Sequence, residues 1–109
     1  VDAACALLKS AGLREQVMID VSHANSSKQH QRQITVAAEV AQQIAAGDAR
    51  ITGLMIESHL SEGRQDIVAG QPLQHGVSVT DACIGWDQTV PVLQGLAAAV
   101  RTRRTLAQG

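Results

Sequence analysis

The feature that most constrains this chain is a regular alternation. Short apolar runs rich in β-branched residues take turns with stretches in which Ala, Leu, Ile and Val recur at helical spacing. Gln16–Ser22 (QVMIDVS) and Ile51–Ile56 (ITGLMI) are too short for helices and apolar on both faces, which predicts buried strands. Ahead of the first, Asp2–Leu13 predicts a helix: Asp2 stands where a cap belongs, Leu7, Leu8 and Ala11 share a stripe, and Gly12 is placed to end it. Between the two runs, Asn25, Ser26 and Ser27 form a polar turn with several N-cap candidates. The helix predicted after them runs to about Ala46, with Ile34, Ala37, Ala38, Ala41, Ile44 and Ala45 on its apolar face and Gly47 as its stop.

From Leu60 to Ser78 the chain turns polar and is punctuated by Gly63, Gly70, Pro72 and Gly76, which predicts a long loop of the kind that serves as a lid or binding loop. Val79–Ile84 predicts a short third strand. A last helix, capped by Asp87 or Thr89, places Leu93, Leu96, Ala97 and Val100 at i, i+3, i+4 and i+7, with Arg101, Arg103 and Arg104 in its last turn. The order α-β-α-β-loop-β-α implies an α/β fold with parallel strands joined by crossovers. A complete (β/α)8 barrel takes about 200 residues or more, and the chain has 109. The pattern therefore fits either a small open sheet or a fraction of a barrel.

Composition narrows the core. Trp86 is the only aromatic residue, with no Phe and no Tyr, so Ala, Val, Ile and Leu must supply the buried area that aromatic rings usually give. That suits thin strands under Ala-rich helices, or a piece of a larger core. A formal net charge of −1 gives no reason to expect nucleic acid or a membrane surface as partner. No basic stretch followed by an apolar h-region appears and no apolar run approaches about 18 residues, and Cys5 and Cys83 are widely separated without a CxxC spacing. These observations predict a soluble, cytoplasmic chain with reduced thiols.

In α/β folds reactive groups gather where strands end. That rule selects Ser22-His23 after the first strand, Glu57-Ser58-His59 after the second, and Asp81 with Cys83 at the third. One imidazole and two carboxylates form a donor set suited to a divalent metal of the Mn, Fe, Co or Zn kind. Each residue also has a plainer reading. A lone His after a strand is commonly a structural hydrogen-bonding group, Asp81 suits a turn or cap after Thr80, and Cys83 suits a small core position. Glu57 is more telling, because an unpaired carboxylate at the end of an apolar strand is costly to bury. Cys83 shares strand parity with Asp81, and His59 with Glu57, so both are candidates for supporting the ligands from behind. His30 and His75 read as surface or loop residues.

Three sequence words add what spacing cannot: Ser22–Lys28 (SHANSSK), Met55–Leu60 (MIESHL) and Thr80–Trp86 (TDACIGW). In this order and at these separations, with Gly-Gln-Pro-Leu in the loop and Ala-Val-Arg-Thr-Arg-Arg near the end, they resemble the C-terminal third of class I, microbial-type 3-deoxy-D-arabino-heptulosonate 7-phosphate (DAHP) synthases. The related 3-deoxy-octulosonate 8-phosphate synthases share the His, Glu, Asp order but not these words, and the plant-like class II enzymes match less well.

The resemblance implies a (β/α)8 TIM barrel of which residues 1–109 form the C-terminal part, about three strands. It implies condensation of phosphoenolpyruvate with erythrose 4-phosphate, with release of phosphate, in the shikimate pathway of aromatic amino acid biosynthesis. It implies a divalent metal held by His23, Glu57 and Asp81, with the fourth ligand a cysteine near the start of the full barrel, outside these residues. Cys83 matches a different family cysteine, near the metal. The phosphate-gripping Arg and Lys residues lie mostly upstream, and Lys28 and Arg32 do not replace them. The expectation is a chain that is inactive alone and that self-associates to cover its open strand edges. The alternative is a non-catalytic, self-associating remnant with at most weak metal binding.

Overall fold

The computed structural model describes residues 1–23 and 29–108. Along the chain run α1 (Asp2–Ser10), β1 (Val17–Asp20), α2 (Arg32–Ala45), β2 (Ile51–Met55) and α3 (Trp86–Gln108). β1 and β2 pair in parallel, with Val17 opposite Ile51, Ile19 opposite Leu54 and Asp20 opposite Met55, and an irregularity between Val17 and Met18. The crossover between them is α2, which packs along α3. Val21, Val40, Ile44, Ile51 and Ala99 form the buried centre, flanked by Val17, Ile19, Val36, Leu54, Leu96 and Val100. The core is aliphatic, as the near absence of aromatic residues requires.

The predicted glycine stops do what their positions call for. Gly12 (φ +73°) ends α1 in a Schellman motif: the Gly12 N–H donates to the Lys9 carbonyl at 3.0 Å and the Leu13 N–H to the Leu8 carbonyl at 2.8 Å. Gly47 (φ +105°) ends α2 in the same way, through Gly47 to Ile44 at 2.9 Å and Asp48 to Gln43 at 3.1 Å. Both close the helix within one turn, so the following strand can start at once.

Three expectations change, and one falls outside the described residues. Asp2 is not the cap of α1. It lies within the first turn and pairs with Arg50, which also grips Asp48, so its carboxylate ties α1 to the chain entering β2. The N-cap candidates Asn25, Ser26 and Ser27 lie outside the described residues, and α2 itself begins at Arg32 without a side-chain cap. Val79–Ile84 forms no strand. Isolated bridges take its place: Ser58 with Ile84, Gly63 with Cys83, and Arg64 with Ser78. The cause is local, since the Ser78 hydroxyl binds the Thr80 N–H at 3.2 Å and offers the backbone a turn in place of a ladder.

The last change concerns α3. It starts at Trp86, with the Gln88 side chain reaching back to accept from the Gly85 N–H at 2.9 Å, one arm of a capping box. Thr89 caps differently from expectation, its hydroxyl donating to the Gly85 carbonyl at 2.9 Å from inside the helix. The helix then runs past Arg101–Arg104 to Gln108, so these arginines are not its last turn. Arg103 instead crosses to the Asp48 and Ile51 carbonyls, both at 2.9 Å, and pins α3 to the start of β2.

The shape is a thin slab. Its extents are 58 × 31 × 17 Å and its radius of gyration is 16.8 Å, against about 13 Å for a compact domain of this length. It exposes 7216 Å², where a compact protein of this mass exposes about 5,800 Å². Leu7, Leu13, Met18, Ile67 and Leu73 are each more than half exposed. Among the described residues, no helix is long and apolar enough to cross a membrane.

Candidate metal centre

The parallel register brings the ends of β1 and β2 level, so the segments leaving them emerge side by side. The Val21 N–H donates to the Met55 carbonyl at 3.0 Å, extending the pairing one step beyond β1. Two residues later the chain bends sharply: His23 has φ +48°, a left-handed conformation uncommon outside glycine. The bend folds the imidazole back over Asp20. Its Nδ1 lies 2.9 Å from Asp20 Oδ2, and Ser22 donates its N–H to Asp20 Oδ1 at 2.8 Å. The Ser22 hydroxyl also binds Asp20 and lies 2.9 Å from His23 Nδ1.

With Nδ1 turned to a carboxylate, Nε2 faces the other way. It lies 3.1 Å from Glu57 Oε1 and 3.1 Å from Asp81 Oδ2. One donor atom from each of His23, Glu57 and Asp81 falls within 4.8 Å of the others. These spacings fit a first-row metal: bonds of about 2.0–2.2 Å set neighbouring donors about 3–3.5 Å apart. A His ligand argues against Ca²⁺ or Mg²⁺ and for Mn, Fe, Co or Zn. The carboxylate behind the imidazole fixes its tautomer, an arrangement usual for metal-binding histidines.

Glu57 is held by its backbone. Gln33, 1% exposed at the start of α2, accepts from the Glu57 N–H at 2.7 Å and donates to the Glu57 carbonyl at 3.1 Å. A side-chain amide thus replaces a neighbouring strand just beyond β2. The Glu57 carboxylate is 18% exposed and Asp81's is 66% exposed, so the cluster runs from the slab's interior to its rim. Ser22, His23, His30, Gln33, Glu57, Arg64, Asp81 and Ala82 line a cleft of about 140 Å³.

The other sequence candidates fall around this cluster. Cys83 is buried, its thiol 3.5 Å from the Asp81 carbonyl, and burial raises its pKa, the behaviour of a packed thiol. His59 is exposed and its Nδ1 accepts from the Leu60 N–H at 2.9 Å. His75 is exposed. His30, read as a surface residue, instead lines the cleft, its Nε2 3.4 Å from Glu62 Oε2. Asp20 and Gln33 escape sequence reasoning. Asp20 carries a usable signal, a carboxylate inside an apolar strand three residues before a His.

Fold and site together define an α/β unit in which a His-Glu-Asp cluster that could hold a metal ion gathers beyond the ends of two parallel strands. The description "DAHP synthetase I family" matches residues 1–94, and the chain belongs to that family. It is 58% identical over 97 residues to the Phe-sensitive phospho-2-dehydro-3-deoxyheptonate aldolase of Escherichia coli (strain K12), covering 89% of this chain and 28% of that protein. It is 53% identical over 107 residues to a putative phospho-2-dehydro-3-deoxyheptonate aldolase of Schizosaccharomyces pombe, covering 96% of this chain and 29% of that protein. The solved phospho-2-dehydro-3-deoxyheptonate aldolase of Francisella tularensis SCHU S4 superposes with a TM-score of 0.89 at 48% identity, over 94% of this chain and 30% of its own. The chain thus spans less than a third of the length of these relatives.

Electrostatics give the cluster a pH signature. The His23 pKa is raised, first by the hydrogen bond to Asp20, then by Asp81 and Glu57, while Asp20 is lowered by its bonds to Ser22 and His23. The signs differ. His23 stabilises the metal-free fold fully below 6.5 and loses that contribution as pH rises through its folded pKa; Asp20 contributes above 3.8 and loses it as pH falls through its own. Asp20→Asn should lower the His23 pKa toward 6.5, read by NMR titration of the imidazole. An unchanged midpoint would remove Asp20 as the group that holds this ring.

Proposed function

We propose that this chain is the C-terminal part of a class I DAHP synthase TIM barrel and carries three of the enzyme's metal ligands: His23 through Nε2, Glu57 through Oε1 and Asp81 through Oδ2. The observation that carries the reading is the 3.1 Å approach of both carboxylates to one imidazole nitrogen, in a chain that belongs to this family. The whole enzyme would condense phosphoenolpyruvate with erythrose 4-phosphate to give DAHP and phosphate, in the cytoplasm, as a step of aromatic amino acid biosynthesis.

A divalent ion held by His23, Glu57 and Asp81 would supply Lewis-acid chemistry, toward the aldehyde of erythrose 4-phosphate or toward the water that adds to the enol phosphate. The chain's own residues prepare the place. Asp20 faces Nδ1 of His23, so Nε2 is the ring nitrogen turned toward Glu57 and Asp81. Gln33 holds the Glu57 backbone, so its carboxylate faces the cleft without rearrangement. Cys83 lies behind the Asp81 peptide and keeps water from that side, and His59 marks the outer end of the Glu57 segment. By the resemblance, the fourth ligand and the cationic groups that grip both phosphates come from outside these 109 residues.

Titration with Mn²⁺ or Zn²⁺ tests the site. Uptake of one ion by the protein, weakened at least tenfold in His23→Ala, is the expected result; equal and negligible uptake by both would sink the assignment. Activity should be absent from the isolated chain: with both substrates, no phosphate above the blank is expected from material free of host enzyme. Measurable release would mean that the chain assembles a complete site by itself.

The uncovered slab supports a further part of the proposal. On its own, the chain is inferred to self-associate, burying the open strand edges and exposed aliphatic side chains against other copies. Light scattering should report a mass above that of one chain, 11.5 kDa. A monomer that melts cooperatively in calorimetry is the contrary outcome.

A further inference from the structure

Asp81 presents a positioning problem. Its side chain is 66% exposed, and the segment carrying it is no strand, so neither packing nor a ladder orients it. What holds this segment comes from the loop after β2. Gly63 exchanges two backbone hydrogen bonds with Cys83, at 2.8 and 3.1 Å, and the Gln65 N–H donates to the Ser78 carbonyl at 2.7 Å. Between these two anchors one side chain reaches across. Arg64 Nε–H donates to the Thr80 carbonyl at 2.9 Å. That carbonyl belongs to the peptide whose N–H is Asp81's own, so the bond sets the plane in which the chain enters Asp81.

The guanidinium is suited to the task. Its Nη2 donates to Asp66 Oδ1 at 2.7 Å, which orients the planar group while Nε serves Thr80. A lysine ammonium offers a single point and cannot make both bonds in one plane. Arg64 also lines the cleft shared by His23, Glu57 and Asp81, so its charge stands beside the carboxylates it helps to arrange. The flanking anchors use backbone atoms alone, so a change at Arg64 leaves them in place.

We infer that Arg64 is a positioning residue for the metal site, holding the Thr80–Asp81 peptide so that the Asp81 carboxylate meets His23 Nε2 and Glu57. This inference rests on the metal reading of the cluster. Residues that orient ligands in this way typically alter metal affinity about 10–100-fold when removed.

Co²⁺ is the probe, because its visible spectrum reports ligand number and geometry as well as affinity. Arg64→Ala should weaken Co²⁺ binding about tenfold and shift its spectrum toward that of Asp81→Asn, with circular dichroism and melting unchanged. Arg64→Lys should fall between wild type and Arg64→Ala. Wild-type affinity and spectrum in Arg64→Ala would overturn the inference. Failure of the wild-type protein to take up Co²⁺ would overturn the metal reading itself, and the inference with it.

Discussion

Two carboxylates brought to 3.1 Å from a single imidazole nitrogen are the interaction around which the strand-end edge of this molecule is organised. Like charges held this close repel unless a cation lies among them. Two cations can serve: the imidazolium of His23, or a divalent ion that displaces its proton. The raised pKa of His23 expresses the first state, and the donor spacing fits the second. The same geometry serves both, because proton and metal compete for one Nε2 position.

Holding such a cluster requires a rigid surround, and each ligand is anchored by a different device. Asp20 seats the imidazole from behind by a contact made within one sharp bend of the chain. Gln33 grips Glu57 from α2, a contact across 24 residues of sequence. The loop after β2 holds the Asp81 segment by backbone bridges at Gly63 and Gln65, with the Arg64 side chain on the Thr80 carbonyl between them. The Ser58 and Thr89 hydroxyls join the Glu57 segment to the first turn of α3, so the helix and the end of β2 share one hydrogen-bonded network.

These devices explain what the sequence made legible. Both strands and the helix stops at Gly12 and Gly47 follow from local rules, the short β-branched run and the left-handed turn, but the expected burial of both strand faces is not met: β1 is half-buried, with Met18 exposed. His23 and Glu57 followed from strand-end logic, and the geometry brings them together. Asp81 was selected by the same rule at a third strand that is not formed; isolated bridges carry its segment to the cluster instead. Gln33 was invisible, because a glutamine next to the apolar stripe of an amphipathic helix looks like any solvent-facing residue. Only the fold shows that it is buried against a peptide end. The arginines of α3 misled for a related reason. Their charge suits a helix C-terminus, but Arg103 is bound to carbonyls of the β2 entry, and its partners lie 52 and 55 residues away.

The slab's thinness bears directly on the chemistry. A domain normally buries its sheet between packed layers, whereas here the cluster runs out to a rim where Asp81 is two-thirds exposed. Water at that rim weakens every charge interaction in the site and solvates the carboxylates separately, which favours neither the imidazolium nor a metal strongly. A layer laid over that rim would exclude this water. Covering the rim and binding the ion are therefore linked equilibria: a partner layer that binds the folded slab raises metal affinity, and the ion in turn tightens the layer, by the same free energy.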